Sequence, residues 1–352
     1  MTEMMSSYIS TLAWTNTALN TLPKLQSDIA KVNTEIATGR HADVGLTLGI
    51  TTGRSVDLHI KETAVQSLID GNALTTNQLS LTQNALTDVS NTANSFLQNL
   101  MSVPDTSGGA ASLEAHGKTS MSALTATLNT SDGKRFIFAG VNSAVKPVAD
   151  YSGTPKTALN AAFAAKFGLD PLDPQNDPKI ATIAPAAMSS FLDAEFAAMF
   201  TDPAWGANWS SASSENLTSR ISQNERATVS TNANTQPMRD LAMAYAMVGE
   251  LGIGRMSTST LQVVLDKARI VVGAAISGVT DTQAALGVTE QRVATSNESM
   301  IQVVGATQAQ ISALEGVDPA EAKTRMDTLT TQLQMSYATT AKLMQLSILN
   351  YV

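Results

Sequence analysis

The chain has no cysteine, so disulfides, thiolate metal sites and thiol nucleophiles are excluded. Aromatic residues are only 5% of its 352 positions, and charged residues only 15%, well below the usual quarter. Ala, Thr, Ser, Asn and Gln fill the gap, which favours helices joined by thin seams over one large aromatic core. Net charge is −8 and no basic stripe runs through the sequence, so nucleic acid is not an expected partner. The first residues, Met1 to Leu25, show no basic start followed by an apolar run, so no cleaved signal peptide is expected. No apolar stretch reaches the ~18 residues that a membrane span needs. A secreted protein of this kind needs an export route that leaves its N-terminus intact.

What the sequence does have is spacing. Val65, Leu68, Asn72, Thr75, Leu79, Thr82, Leu86, Val89, Ala93, Phe96 and Leu100 follow one another in steps of three and four. That is the period of a helix packed along a seam. At ~1.5 Å per residue the stretch predicts a rod of roughly 50–60 Å. Near the start, Ile9, Leu12, Asn16 and Leu19 form one stripe and Leu22, Leu25, Ile29, Val32 and Ile36 another. The phase slips at Pro23, where a kink or break is expected. Gly39 supplies a stop, and Gly39 to Arg54 reads as a loop. The tail repeats the pattern. Met300, Val304, Thr307, Ile311 and Leu314 precede a turn at Gly316, with Asp318 as N-cap and Pro319 at the first helical position. Met326, Leu329, Leu333, Ser336, Thr340, Leu343 and Ser347 then carry the stripe to the end.

The middle differs. Arg135 to Ala139 reads as a strand between Gly133 and Gly140, and Ile221 to Asn232 as another. Pro171 to Pro178 is a loop, Phe191 to Phe200 a short helix, and Trp205 and Trp209 lie in a turn-rich stretch as core filling of the insert. Helix resumes after Pro237 and again from Ser257. The expected fold class is therefore mainly α: an elongated, coiled-coil-like bundle of N- and C-terminal helices with a small mixed α/β domain inserted in the middle. The boundaries read 1–55 for an N-terminal helix and loop, 56–130 for a long helical rod, 131–235 for the insert, 236–316 for the returning helices and 317–352 for a C-terminal helix.

No catalytic constellation accompanies this. His41, His59 and His116 lack metal-ligand spacing and read as exposed loop or helix residues. Gly117-Lys118-Thr119 resembles the end of a phosphate-binding loop, but Ser112 stands where the first glycine belongs. No Gly-x-Ser-x-Gly elbow occurs. No enzymatic activity, cofactor or metal is expected.

The organisation resembles the flagellin superfamily. Glu35-Ile36-Ala37-Thr38-Gly39-Arg40 looks like that family's helix-ending Ser/Thr-Gly-Lys/Arg motif. Gly133-Lys134-Arg135-Phe136-Ile137-Phe138-Ala139-Gly140 is similar to a Gly-x-Tyr/Phe-Leu/Ile-Phe-Ala/Ser-Gly segment in the branch that joins hook to filament. The ending Leu346-Ser347-Ile348-Leu349-Asn350-Tyr351-Val352 resembles that branch's closing Leu-x-Asx-Tyr-Leu. The resemblance covers roughly 10–150 and 221–352. It implies a structural role joining hook to filament, with a filament subunit, or a secreted coiled-coil adaptor or translocator, as alternatives. It also implies secretion to the extracellular flagellum through a type III export route. The implied partners are other copies of the chain, an adjacent hook-associated protein, flagellin and an export chaperone, with no nucleic acid and no membrane. The expected assembly surface is Ile9, Leu12, Leu19, Ile29, Ile36, Met326, Leu329, Leu333, Leu343, Leu346 and Leu349.

Overall fold

The computed structural model describes the backbone of residues 11–102 and 107–349, and the side chains of 20–102 and 108–342. The helices are α1 (Thr11–Thr38), α2 (Val44–Leu48), α3 (Thr52–Ser102), α4 (Ser107–Leu128), α5 (Thr154–Phe167), α6 (Pro185–Phe191), α7 (Ala204–Asn208), α8 (Gln236–Glu250), α9 (Thr258–Glu315) and α10 (Pro319–Leu349). A two-stranded antiparallel hairpin, β1 (Thr218–Arg220) and β2 (Arg226–Thr228), lies between α7 and α8. Helix makes up 76% of the chain, which places the fold in the mainly α class. No described helix is long and apolar enough to cross a membrane. The chain divides into two compact units: residues 1–66 with 301–352, and residues 67–300.

In the larger unit the heptad-spaced face of α3 is the packed face. Of the eleven residues in the stripe, Leu68 alone is not fully buried. α9 runs antiparallel alongside. The Gln83 side-chain amide donates to the Gln283 carbonyl at 2.9 Å, and the Arg269 guanidinium donates to the Leu100 carbonyl. The threonines in these seams keep their hydroxyls satisfied locally. Thr82 is fully buried and donates to the carbonyl of Gln78, four residues back, at 2.9 Å; Thr75 does the same to Gly71. Such a residue packs as a branched apolar knob and asks nothing of the facing helix. Asn72 behaves otherwise. Its amide donates to the Ile221 carbonyl at 2.7 Å and to Asn297 Oδ1 at 2.8 Å, locking α3 to the hairpin and to α9.

Seven aromatics form one chain of ring contacts: Phe163, Phe167, Phe191, Phe196, Phe200, Trp205 and Trp209. The two tryptophans stack with centroids 5.4 Å apart, both buried as core filling. Arg239 lies over the Trp205 ring at 5.5 Å. α4 and α8 cross with their backbones in contact: a Cβ on Gly117 would stand 2.8 Å from the Gly249 nitrogen. Only glycine allows that approach.

Several local expectations are corrected. α1 runs unbroken through Pro23. The ring removes one helix hydrogen bond, and the packing of α1 on α10 offsets that loss. The glycine-rich segment 39–54 is partly helical, because Asp43 caps α2 by accepting from the Leu46 N–H at 2.9 Å. Arg135 to Ala139 is not a strand. Phe136 and Ala139 make only isolated bridges, to Ser131 and Asn232. Gly140 turns at φ +61 there, and the Phe138 carbonyl is used by Ala233. The strand expected over Ile221 to Asn232 is likewise replaced by the tight hairpin, whose turn falls at Ile221 to Glu225.

Candidate assembly site

The smaller unit holds the terminal pair. α1 and α10 pack antiparallel, with Gln26 donating to the Tyr337 hydroxyl at 2.9 Å and Arg325 reaching Glu35 at 3.1 Å. Two helices alone enclose little. Val32 and Ala322 are buried on this seam, whereas Leu25, Ile29, Met326, Leu329 and Leu333 are only half-buried. Ile36 is 43% exposed, and Met335 and Tyr337 lie open as well. Of the residues expected to form the surface, Ile29, Met326, Leu329 and Leu333 therefore meet on one seam, while Ile36 stands outside it. Leu12 and Leu19 lie in α1, and Leu343, Leu346 and Leu349 in α10, but their side chains fall outside the described residues, as does the whole of Ile9.

The base of the pair is closed by backbone and charge together. Gly39 ends α1 at φ +69, the left-handed turn that glycine makes most cheaply. Its carbonyl accepts from the Val317 N–H at 3.0 Å, and the His41 N–H donates to the Glu315 carbonyl at 2.9 Å. The turn after α1 is thus bridged to the turn between α9 and α10. Gly316 is required there, since a Cβ would lie 2.3 Å from the Ser312 carbonyl oxygen. Beyond the bridge, Asp318 accepts from the Ala320 N–H at 2.8 Å and starts α10, as the sequence predicts.

Glu315 is the centre of the polar cluster. Its side chain is 4% exposed and meets Arg40 at 2.5 Å, His59 Nε2 at 2.9 Å and the Ser55 hydroxyl. His59 Nε2 also lies 3.2 Å from Arg40 Nη2, and its Nδ1 lies 3.7 Å from Glu62. That Nε2 can donate to Glu315 or accept from Arg40, and the imidazole tautomer decides which. A second buried carboxylate, Glu35, accepts from the Ala42 N–H at 3.2 Å and faces His41 at 3.7 Å as well as Arg325. His41 and His59 are therefore not exposed bystanders, contrary to the reading from spacing. Both contribute to the joint. An open cleft of about 580 Å³ lies beside it, bounded by Arg40, His59, Glu62 and Gln308.

Burial would raise the Glu315 carboxyl, but the Ser55 and His59 hydrogen bonds and the Arg40 charge outweigh it and hold it below its ordinary 4.5. A depressed carboxylate stabilises the fold above its unfolded value and loses that contribution as pH falls through the folded one. Acidification from pH 6 to below 4.5 is therefore expected to loosen this joint. Amide exchange in α1 and α10 is expected to speed up over that range before exchange in α8 does.

Among the described residues no group of three His, Cys, Asp or Glu side chains is placed to hold a metal. A cleft of about 490 Å³ lies beside Lys118, Tyr151 and Glu250. Burial first, and then the Glu250 charge, push the Tyr151 phenol far above its usual range, so it holds its proton at neutral pH.

Helices from the two ends of the sequence, α1 and α10, thus pair and leave their seam half-open. Residues 9–143 match the bacterial flagellin N-terminal helical region, and residues 270–352 match the bacterial flagellin C-terminal helical region. Together these matches take in more than half of the sequence, and the chain belongs to the flagellin superfamily. It is a structural protein of the flagellum and not an enzyme. The solved structure of a putative flagellar hook-associated protein from Vibrio parahaemolyticus is similar at 9% identity, with 73% of this chain and 97% of that one covered and a TM-score of 0.41. No curated protein matches the chain.

Proposed function

We propose that this protein joins hook to filament in the bacterial flagellum, with α1 and α10 completed by the same helices of neighbouring copies. The observation that supports this most is the half-open seam of the terminal pair. Leu25, Ile29, Met326, Leu329 and Leu333 are too apolar for a solvent face and too exposed for a finished core. Neighbours stacked on that seam bury it, and a contact repeated by a screw operation builds a tube wall. The hook-joining role, rather than that of filament subunit, is supported by the Gly133 to Gly140 segment and the closing Leu346 to Val352. The segment His41-Ala42-Asp43-Val44-Gly45-Leu46 lacks the Asp-Asp-Pro often found after the family's Gly-Arg motif, and it keeps the filament subunit as the second reading. In this proposal 1–55 and 317–352 are the assembly segments, an adjacent hook-associated protein and flagellin flank the chain, and an export chaperone holds it before secretion without a cleaved signal peptide.

Electron micrographs of a deletion strain test the assignment. The expected result is intact hooks without filaments, with flagellin monomer in the medium. Filaments still seated on hooks in that strain would overturn it, and altered filaments would favour the second reading.

A further inference from the structure

The turn that follows α4 holds a chemically vulnerable bond under a clasp of hydrogen bonds. The sequence has two Asp-Gly pairs, Asp70-Gly71 and Asp132-Gly133. A main chain rearranges most readily at such pairs, because glycine leaves its nitrogen unhindered beside the carboxyl group. Asp70-Gly71 lies inside α3, where helical hydrogen bonding fixes the backbone. Asp132-Gly133 lies in an exposed turn, just ahead of the buried Ile137 and Phe138.

The turn requires both residues of the vulnerable pair. Gly133 stands at φ +92, a conformation that glycine takes cheaply and other residues rarely take. A Cβ there would meet nothing within 4 Å, so the dihedral angle and not a lack of space selects glycine. Asp132 supplies the acceptor. Its Oδ1 takes the Lys134 N–H at 2.9 Å and the Arg135 N–H at 2.7 Å. The Asp132 N–H donates to the Arg135 carbonyl at 3.0 Å. The Gly133 N–H donates to Ser131 Oγ at 3.1 Å. Every N–H from 132 to 135 is therefore engaged. The Arg135 and Lys134 N–H bonds also hold the Asp132 carboxyl below its ordinary 3.8.

Rearrangement would join the Gly133 nitrogen to Asp132 Cγ. The C–OH bond of the protonated carboxyl breaks, the amide proton leaves with the hydroxyl as water, and a five-membered imide remains. Water then opens the ring. Opening at Cγ restores aspartate. Opening at the main-chain carbonyl leaves the chain running through the side chain, one methylene longer. That isoaspartyl link would displace the carboxylate from its two donors and lengthen the path to Ile137 and Phe138.

We propose that Asp132 is a latent isoaspartate site, kept closed because Ser131 holds the attacking nitrogen while the Lys134 and Arg135 N–H groups hold the carboxylate. Ring closure needs the Gly133 N–H to leave Ser131 and the carboxylate to turn from both donors together. Local opening of the turn is thus the gate to the chemistry. The inference is independent of the assembly reading.

The test is incubation of the full-length protein in mildly acidic buffer, followed by peptide mapping that separates iso-linked from normal peptides at 70 and 132. Wild-type protein unfolded in urea provides the unprotected rate. The folded wild type is expected to form the link at 132 at least about tenfold more slowly than the unfolded chain. Ser131→Ala frees the attacking nitrogen and is expected to raise the rate at 132 about three- to tenfold, with residue 70 unchanged. Ser131→Thr keeps the hydroxyl and is expected to react as the wild type does. Equal rates at 132 in folded and unfolded wild type would overturn the proposal. So would a Ser131→Ala rate that does not move, or one that rises at 70 and 132 together, since general unfolding would then be the cause.

Discussion

Replacing Glu315 by alanine is expected to free the terminal helices while residues 67–300 stay folded. The substitution removes the shared acceptor of Arg40, His59 and Ser55 and leaves those groups facing one another across the joint. Breaking a buried ion pair from one side costs about 3–5 kcal/mol. Arg40 and His59 are 46% and 41% exposed, and water compensates part of the loss. A cost of about 2–3 kcal/mol is the better expectation. It is confined to the unit that holds the cluster. Amide exchange in α1 and α10 is then expected to accelerate roughly 30- to 150-fold, with exchange in α4 and α8 unchanged. Glu315→Gln keeps the shape and loses the charge, and is expected to fall between the two. Equal loss in both units would show that Glu315 supports the whole fold, and no change in α1 would remove the cluster from the account.

The second large effect concerns the tail. A chain ended at Gln332 loses the half-buried Leu333, the buried Thr340 and the Tyr337 hydroxyl that receives Gln26. What remains of α10 still holds Ala322 and Arg325, so the cluster around Glu35 survives. The larger unit contains the aromatic core and shares no residue with the removed segment. Calorimetry is therefore expected to show its unfolding transition intact. Assembly is expected to be abolished, because the part of α1 around Gln26 has lost the stretch of α10 that covers its apolar stripe. Truncated protein that still supports filaments on hooks would show that the tail has no assembly role.

How far these features could be read beforehand depends on their range along the chain. The α3 stripe was legible residue by residue, because a three-and-four spacing of apolar side chains has no other economical use. Asp318 and Pro319 were legible as a helix start, since capping is decided within four residues. The joint was not. Arg40, His59 and Glu315 are far apart in sequence, and apolar spacing does not distinguish Glu315 from any other helical glutamate. The Gly39-Arg40 motif marked one half of it and said nothing of the other. In a chain with so few charges, a glutamate immediately before the glycine that ends α9 was the available signal. The missed strand at Arg135 to Ala139 has a different cause. Its apolar run is real, and Ile137, Phe138 and Ala139 are all buried. Its backbone partners are scattered over Thr130, Ser143 and Ala233, so no ladder forms. Likewise the stripe does not reveal the role of Asn72, since the groups it serves lie on the hairpin and on α9.

The threonines of α3 and α9 have a bearing on turnover of contacts. Thr82, Thr289 and Thr307 each return their proton to a carbonyl of their own helix, at 2.9, 3.2 and 2.7 Å. A polar side chain settled in this way is content whether or not another helix lies against it. Exchanging one neighbour for another then strands no donor and breaks no directional bond, and only apolar contact has to be surrendered and regained. At each such threonine, helices within the molecule can shift or re-pair without leaving a hydroxyl unsatisfied.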